Sequence, residues 1–130
     1  MEEILNFLKK AGVWYLATDE DGQPKVRPFG SQMIYKGKLY FETGLKKNVA
    51  KQLLKNPKVE ICAMLDGEWL RLTAEAVHDP DIEAQKAMLE TIPELKKMYA
   101  AGDGNTAVFY LKNTKAVLYG FGKEPRTINF

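Results

Sequence analysis

The chain has 130 residues, 45% hydrophobic and 28% charged, which suits one globular domain and leaves little room for a second. A formal net charge of +2 is too small a bias to mark a nucleic-acid or anionic-membrane binder, and no apolar run approaches the ~18 residues needed to cross a bilayer. The single cysteine excludes an internal disulfide, and Glu2 and Glu3 stand where a signal peptide would be basic, so a cytoplasmic protein is expected.

In chain order, Ile4, Leu5, Leu8 and Ala11 recur at helical spacing, and Gly12 closes a short amphipathic helix from Met1 to Ala11. Val13 to Thr18 is rich in β-branched and aromatic residues and reads as a strand, followed by an Asp19–Gly22 hairpin turn. Gln23 to Tyr35 reads as one longer second strand. Pro28 and Gly30 within it mark an edge, a bulge or backbone kept clear for a ligand. After the Lys36–Lys38 turn comes a third strand, Leu39 to Thr43.

Leu45 to Asn56 reads as a helix with Val49, Leu53 and Leu54 on one face and Pro57 as its stop. Strands follow at Lys58 to Leu65 and Trp69 to His78, joined by an Asp66–Gly67 turn. Cys62, inside an apolar run, is predicted to be a buried small hydrophobe. Asp81 to Glu90 and Glu94 to Tyr99 are helical, Ala101 to Asn105 is a loop, and Val108 to Leu111 with Ala116 to Phe121 forms a closing hairpin. Seven short strands joined by tight turns predict a mainly β, antiparallel barrel, closed or partly open, with short flanking helices.

Three places carry chemistry. The junction Thr43-Gly44-Leu45-Lys46-Lys47-Asn48 opens a helix with two lysines and no acid. A helix N-terminus is already partly positive, so cations there are unfavourable by about 0.3–1 kcal/mol each unless an anion, most naturally a phosphate, sits among them. Gly44 lets the backbone approach, and Thr43 or Asn48 is a candidate cap. Second, Arg27 stands mid-strand beside Pro28. An inward strand arginine needs an anion, whereas an outward one pairs with a surface carboxylate. Third, Trp69 and Arg71 share a strand face, where indole and guanidinium planes could flank a planar aromatic ligand or simply pack in a core or interface. Other chemistries lack their residues. His78 is the only histidine and Ser31 the only serine, with no metal-ligand spacing and no nucleophile motif around them. Redox chemistry would have to come from a cofactor.

The segments Val13 to Phe29, Leu39 to Ala63, Glu68 to Val77 and Val108 to Pro125 together resemble the pyridoxamine 5′-phosphate oxidase-like, FMN-binding split-barrel proteins, in particular their short bacterial members. The resemblance implies a six- or seven-stranded antiparallel split barrel that forms a homodimer with FMN in the interface. By position it implies that Arg27, Pro28, Phe29 and Gln32 contact the flavin ring and phosphate. Thr43 would meet the ribityl phosphate, and Trp69 would contact the flavin from the fifth strand. The Lys46-Lys47-Asn48 turn corresponds to the family's phosphate-binding Ser-Arg-Lys stretch, although the aligned residues are Lys47, Asn48 and Val49. The vitamin B6 oxidases carry a longer C-terminal segment with Trp and Arg contacts to their substrate, so oxidation of vitamin B6 is not the expected activity here.

Two functions follow as expectations. One is an FMN-dependent oxidoreductase that passes electrons from a reduced nicotinamide to a small acceptor. The other is a carrier, store or sensor of FMN, a deazaflavin or haem without turnover. A third reading, an interaction protein with no flavin, leaves Lys46 and Lys47 as solvated surface.

Overall fold

The computed structural model describes all 130 residues. A helix, α1 (Glu2–Ala11), leads into β1 (Trp14–Glu20), β2 (Gln23–Phe29), β3 (Gln32–Tyr35) and β4 (Lys38–Gly44). Then come α2 (Asn48–Lys55), β5 (Lys58–Leu65), β6 (Glu68–Asp79) and α3 (Ile82–Thr91), a 3-10 turn (Pro93–Lys97), β7 (Thr106–Gly120) and β8 (Arg126–Asn129). Three hairpins turn on two-residue pairs, Asp21-Gly22, Lys36-Gly37 and Asp66-Gly67, each with both φ angles positive. That is the twist a tight antiparallel hairpin needs. No helix is long and apolar enough to cross a membrane.

The strands form one antiparallel sheet in the order β2-β1-β5-β6-β7-β4-β3, with β8 added onto β7. The stretch read as one strand, Gln23 to Tyr35, is two: β2 pairs only with β1 and β3 only with β4. The break falls at Gly30 and Ser31. A side chain at Gly30 would stand 3.3 Å from the carbonyl oxygen of Gly12, so the backbone passes close to its neighbour where the chain leaves one edge for the other. The two edge strands are therefore consecutive in sequence. The sheet curls until its ends meet at a two-residue link and remains unclosed by hydrogen bonds, which makes the barrel split.

The closing hairpin is also corrected. Residues Thr106 to Gly120 run as one strand. Asn113 takes a left-handed φ of 54° opposite a register shift in β6 between Thr73 and Glu75, and its amide donates to Glu75 Oε2 at 2.7 Å. A bulge bends the strand where the sequence suggested a turn. The return strand is β8, with Ile128 as its one partly buried hydrophobe packed on the core.

Strand alternation sorts the core. Trp14 and Leu16 of β1, Ile61 of β5, Leu70 and Leu72 of β6 and Phe109 of β7 are fully buried. Helices α1 and α2 cap them with Ile4, Phe7 and Leu8 and with Val49, Ala50 and Leu53. Each such Leu, Ile, Val or Phe side chain stabilises the fold by about 1.5–3 kcal/mol. Trp14 stacks on Phe29 at 5.2 Å and Phe41 on Phe109 at 5.6 Å, which ties β1, β2, β4 and β7 together. Cys62 departs from expectation: it is exposed. Ile61 and Ala63 take the inward positions of β5, so the period of two turns Cys62 and Met64 outward.

Candidate functional site

The β4–α2 junction is held open by a neighbouring loop. Asn105 accepts the Leu45 N–H with its carbonyl at 2.7 Å and the Lys46 N–H with its side chain at 3.0 Å. Asn105 is itself fixed by Asp103. One Asp103 oxygen accepts from the Asn105 and Thr106 N–H groups, the other from the Ala100 N–H and the Thr106 hydroxyl. These bonds hold the Asp103 carboxyl well below the usual carboxylate range. A side chain at Gly44 would come within 3.1–3.3 Å of Asn105 and Tyr99, so the loop packs directly on the junction backbone.

Helix α2 then starts without a cap. Lys47 occupies the N-cap position and makes no side-chain cap bond, and no acid stands in the first turn. Neither Thr43 nor Asn48 caps it, contrary to the expectation from sequence. The N–H groups of Asn48 and Val49 have no acceptor within the chain. Uncapped N–H groups beside a lysine form a donor cluster with a net positive field.

Arg27 reaches the same place from β2. Its partners are all neutral: the Thr18 hydroxyl and Gln52 Oε1 at 2.7 Å each, and the Leu16 carbonyl at 3.3 Å. Gln52 also takes the Thr18 hydroxyl proton at 2.5 Å and donates to Glu20 at 2.7 Å, so a buried glutamine of α2 holds the guanidinium in place. Burial lowers the Arg27 pKa, with Glu20's charge pulling the other way. Seven ion pairs exist in the chain, and none includes Arg27, Lys46 or Lys47.

Arg27 and Lys47 both line two adjoining clefts. The first, about 210 Å³, is lined by Arg27, Pro28, Phe29, Glu42, Thr43 and Lys47, with Leu95, Met98 and Tyr99 as an apolar wall. The second, about 360 Å³, shares Arg27, Lys47 and Val49 and adds Glu20, Lys25 and Asn48. Glu42 is only 4% exposed, and its Oε2 is sealed without a hydrogen-bond partner. Burial pushes its carboxyl up to about 8, against the pull of Lys47 and with a push from Asp103.

Of the residues singled out from sequence, Arg27, Pro28, Phe29, Thr43, Lys47 and Asn48 come together around these clefts. Lys46 is exposed and lines neither. Gln32 points into the core, where its Oε1 accepts the Trp14 indole N–H at 2.8 Å. Trp69 stands elsewhere, stacked on Tyr119 at 5.5 Å and tilted against Phe121 at 5.3 Å. Its strand neighbour Arg71 is bound by both oxygens of Glu60, so the pair does not frame an open slot between indole and guanidinium. Sequence reasoning missed Glu42, Gln52, Tyr99 and Asn105. A glutamate between Phe41 and Thr43 in an otherwise uncharged strand interior was the one available signal.

The model of the family described as pyridoxamine 5′-phosphate oxidase matches residues 1–117. No curated relative matches the sequence. Among solved structures, a NimC/NimA family protein from Clostridium acetobutylicum is 43% identical, with a TM-score of 0.97, covering 100% of this chain and 92% of that one. General Stress Protein 26 from Bacillus anthracis shares the fold at 14% identity and a TM-score of 0.79, covering 99% of this chain and 97% of that one. A pyridoxamine 5′-phosphate oxidase-related, FMN-binding protein from Nostoc punctiforme does so at 16% identity and a TM-score of 0.66, covering 99% and 95%. With nearly the whole chain matched by the family's model and a solved homologue superimposing along its full length, this protein belongs to the pyridoxamine 5′-phosphate oxidase-like family.

Proposed function

We propose that this chain binds FMN with its phosphate in the Arg27–Lys47 cleft, and that it works as a homodimer passing electrons from a reduced nicotinamide to a small acceptor. The observation that carries this reading is a cluster of cations and free N–H groups in which neither Arg27 nor Lys47 is ion-paired, although Glu20 and Glu42 also line the clefts. Arg27, Lys47 and the uncapped start of α2 converge where the other pocket-lining polar groups leave room for an anion. A phosphomonoester fits that donor set. It accepts from Asn48 and Val49 N–H groups, pairs with the Lys47 ammonium and supplies the anion Arg27 lacks. The bound FMN would contribute reversible hydride and electron chemistry at its ring, and the protein would fix its position and polarity.

Two features support a second copy of the chain as the missing wall. The first cleft is smaller than the roughly 300–1,000 Å³ typical of cofactor sites, so one protomer encloses the phosphate end better than a tricyclic ring. The outer face of β2, β1 and β5 exposes Val26, Tyr15, Cys62 and Met64, and β6 and β7 continue it with Trp69, Val117 and Tyr119. Apolar residues spread over five strands are what a dimer interface buries. A dimer would bring Trp69 of one protomer toward the flavin of its partner.

The test is titration of purified protein with FMN, read by flavin absorbance near ~450 nm and by fluorescence, with sizing of the complex. Tight binding, a dimeric mass and bleaching by NADH or NADPH with turnover of a quinone or nitro acceptor support the full reading. Bound flavin with no turnover across acceptors returns the carrier or sensor reading. Protein that neither co-purifies with nor takes up FMN overturns the FMN reading and leaves only a carrier of a deazaflavin or haem.

A further inference from the structure

Glu42 is the one acidic side chain lining the first cleft, with Glu20 in the adjoining one, and it forms no ion pair with the cations there. Its Oε2 is sealed and unpartnered, and no carboxylate–ammonium or carboxylate–guanidinium contact within 4 Å joins it to Lys47 or Arg27. Its backbone is pinned on both sides: the Ser31 hydroxyl lies 3.3 Å from both its N–H and its carbonyl, which fixes β4 against the link between the sheet edges. The side chain therefore has a fixed root beside the cleft, and no partner within the chain.

A buried carboxyl without a partner costs about 1–3 kcal/mol, more if charged; Oε2 has no open surface, so an occupant of the cleft relieves that cost only when the side chain turns to meet it. The charges around it say which kind. Arg27 faces it from β2, Lys47 from the head of α2, and Tyr99 and Asp103 from the segment before β7. Asp103 is already spent on four hydrogen bonds to its own loop. A cationic ligand would meet two cations here; an anionic one would meet two cations and one carboxyl. An ionised carboxyl would repel that anion, whereas a protonated one would donate to it.

Resting on the FMN reading, we infer that Glu42 is an anion-binding donor: it keeps its proton when the cleft is filled and gives a hydrogen bond to a ligand oxygen, so binding of the phosphorylated cofactor is coupled to one proton. The burial that favours the neutral acid already acts in the free protein, and a bound anion reinforces it. Above the point where free Glu42 ionises, binding must take up a proton, and affinity falls by about tenfold per pH unit. The phosphate itself does not cause this fall, because its second ionisation lies near pH ~6 and is complete at higher pH.

The experiment is calorimetric titration of the whole protein with FMN between pH 7 and 9.5, in pairs of buffers that differ in ionisation enthalpy. Wild type should take up close to no proton at the low end and about one at the high end, with affinity falling by at least tenfold. Glu42→Gln keeps an N–H donor and cannot titrate, so it should bind FMN with a flat profile and no proton uptake. Wild-type affinity independent of pH, no proton uptake at pH 9.5, or an unchanged slope in Glu42→Gln each overturns the inference while leaving FMN binding intact. If wild type binds no FMN at pH 7, the flavin reading falls. Sulfate, which does not titrate in this range, then probes the cleft by thermal protection: protection that fades above pH 8 in wild type alone upholds Glu42, and pH-independent protection or none overturns it.

Discussion

Arg27 and Arg71 are both strand arginines of one sheet, yet they sit in opposite electrostatic settings. Arg71 projects from the outer face of β6 and is held by both oxygens of Glu60, an ordinary solvated ion pair. Arg126, the third arginine, is likewise matched by Glu3. Arg27 is half-buried at the mouth of a cleft, bonded only to neutral oxygens, with Lys47 for company. The outer face is electrostatically complete and apolar between its ion pairs; the cleft is incomplete. Charge left unmatched in a protein that pairs its other arginines marks where something else is to bind.

The comparison breaks first at the two glutamates, where the largest effect is expected. The folded protein holds the Glu42 proton up to about pH 8, whereas the unfolded chain releases it near the ordinary value of 4.5. Stability from this group is therefore full below pH 4.5 and is lost as the pH rises through 8. Glu42→Gln should be more stable than wild type at pH 9 by about 3–5 kcal/mol in denaturant unfolding, with the gap closing toward pH 4.5. Glu60→Gln, which breaks the exposed pair with Arg71, should change stability by no more than about 1 kcal/mol at either pH. Equal responses from the two variants would erase the distinction between cleft and face.

The arginines come next. Arg27→Ala should weaken FMN binding by about 10–100-fold, the worth of a charge-assisted hydrogen bond, and Arg71→Ala by no more than about twofold, both read by flavin fluorescence. The outer face is sharpened by Met64→Glu, which places a charge among Tyr15, Cys62 and Trp69. Self-association should weaken by at least about tenfold in sedimentation. The Cys62 thiol should be slow to react with a thiol reagent in the wild-type assembly and fast in this variant. The smallest effect is expected at the loop that props the cleft. Asp103→Ala removes four acceptor contacts at an exposed site and should cost about 1–2 kcal/mol of stability, with a modest loss of FMN affinity.

Much of the fold could be read along the chain because its signals are local. The dipeptides Asp21-Gly22 and Asp66-Gly67 specify tight hairpins by themselves, and the helix after Gly44 declares its lysine-rich, acid-free start within a few residues, though not that it lacks a cap. Signals failed where the deciding contact was distant. Gln23 to Tyr35 looks like one strand until β2 is found paired only with β1 and β3 only with β4. Lys112 to Lys115 looks like a turn until Glu75, 38 residues away from Asn113, captures its amide and a bulge replaces the reversal. Cys62 looks buried in a run of apolar residues whose alternation only the sheet's two faces resolve. Gln32 looks like a polar contact for a ligand until the Trp14 indole claims it.

What the amino-acid order settled alone was the helices, the hairpins at Asp21-Gly22 and Asp66-Gly67 and the antiparallel character of the sheet, together with a helix start carrying more positive charge than it can use, since each depends on residues within a turn or two of one another. Only the folded chain decided that β2 delivers Arg27 to that same helix start without pairing with β4, that Trp69 goes elsewhere, and that Glu42 is left buried and unpartnered at the wall of the cleft Arg27 and Lys47 line. The reason is physical: hydrogen-bonding and rotamer preferences act over a few residues, whereas the matching of buried charges depends on which segments the closed path of the sheet brings face to face.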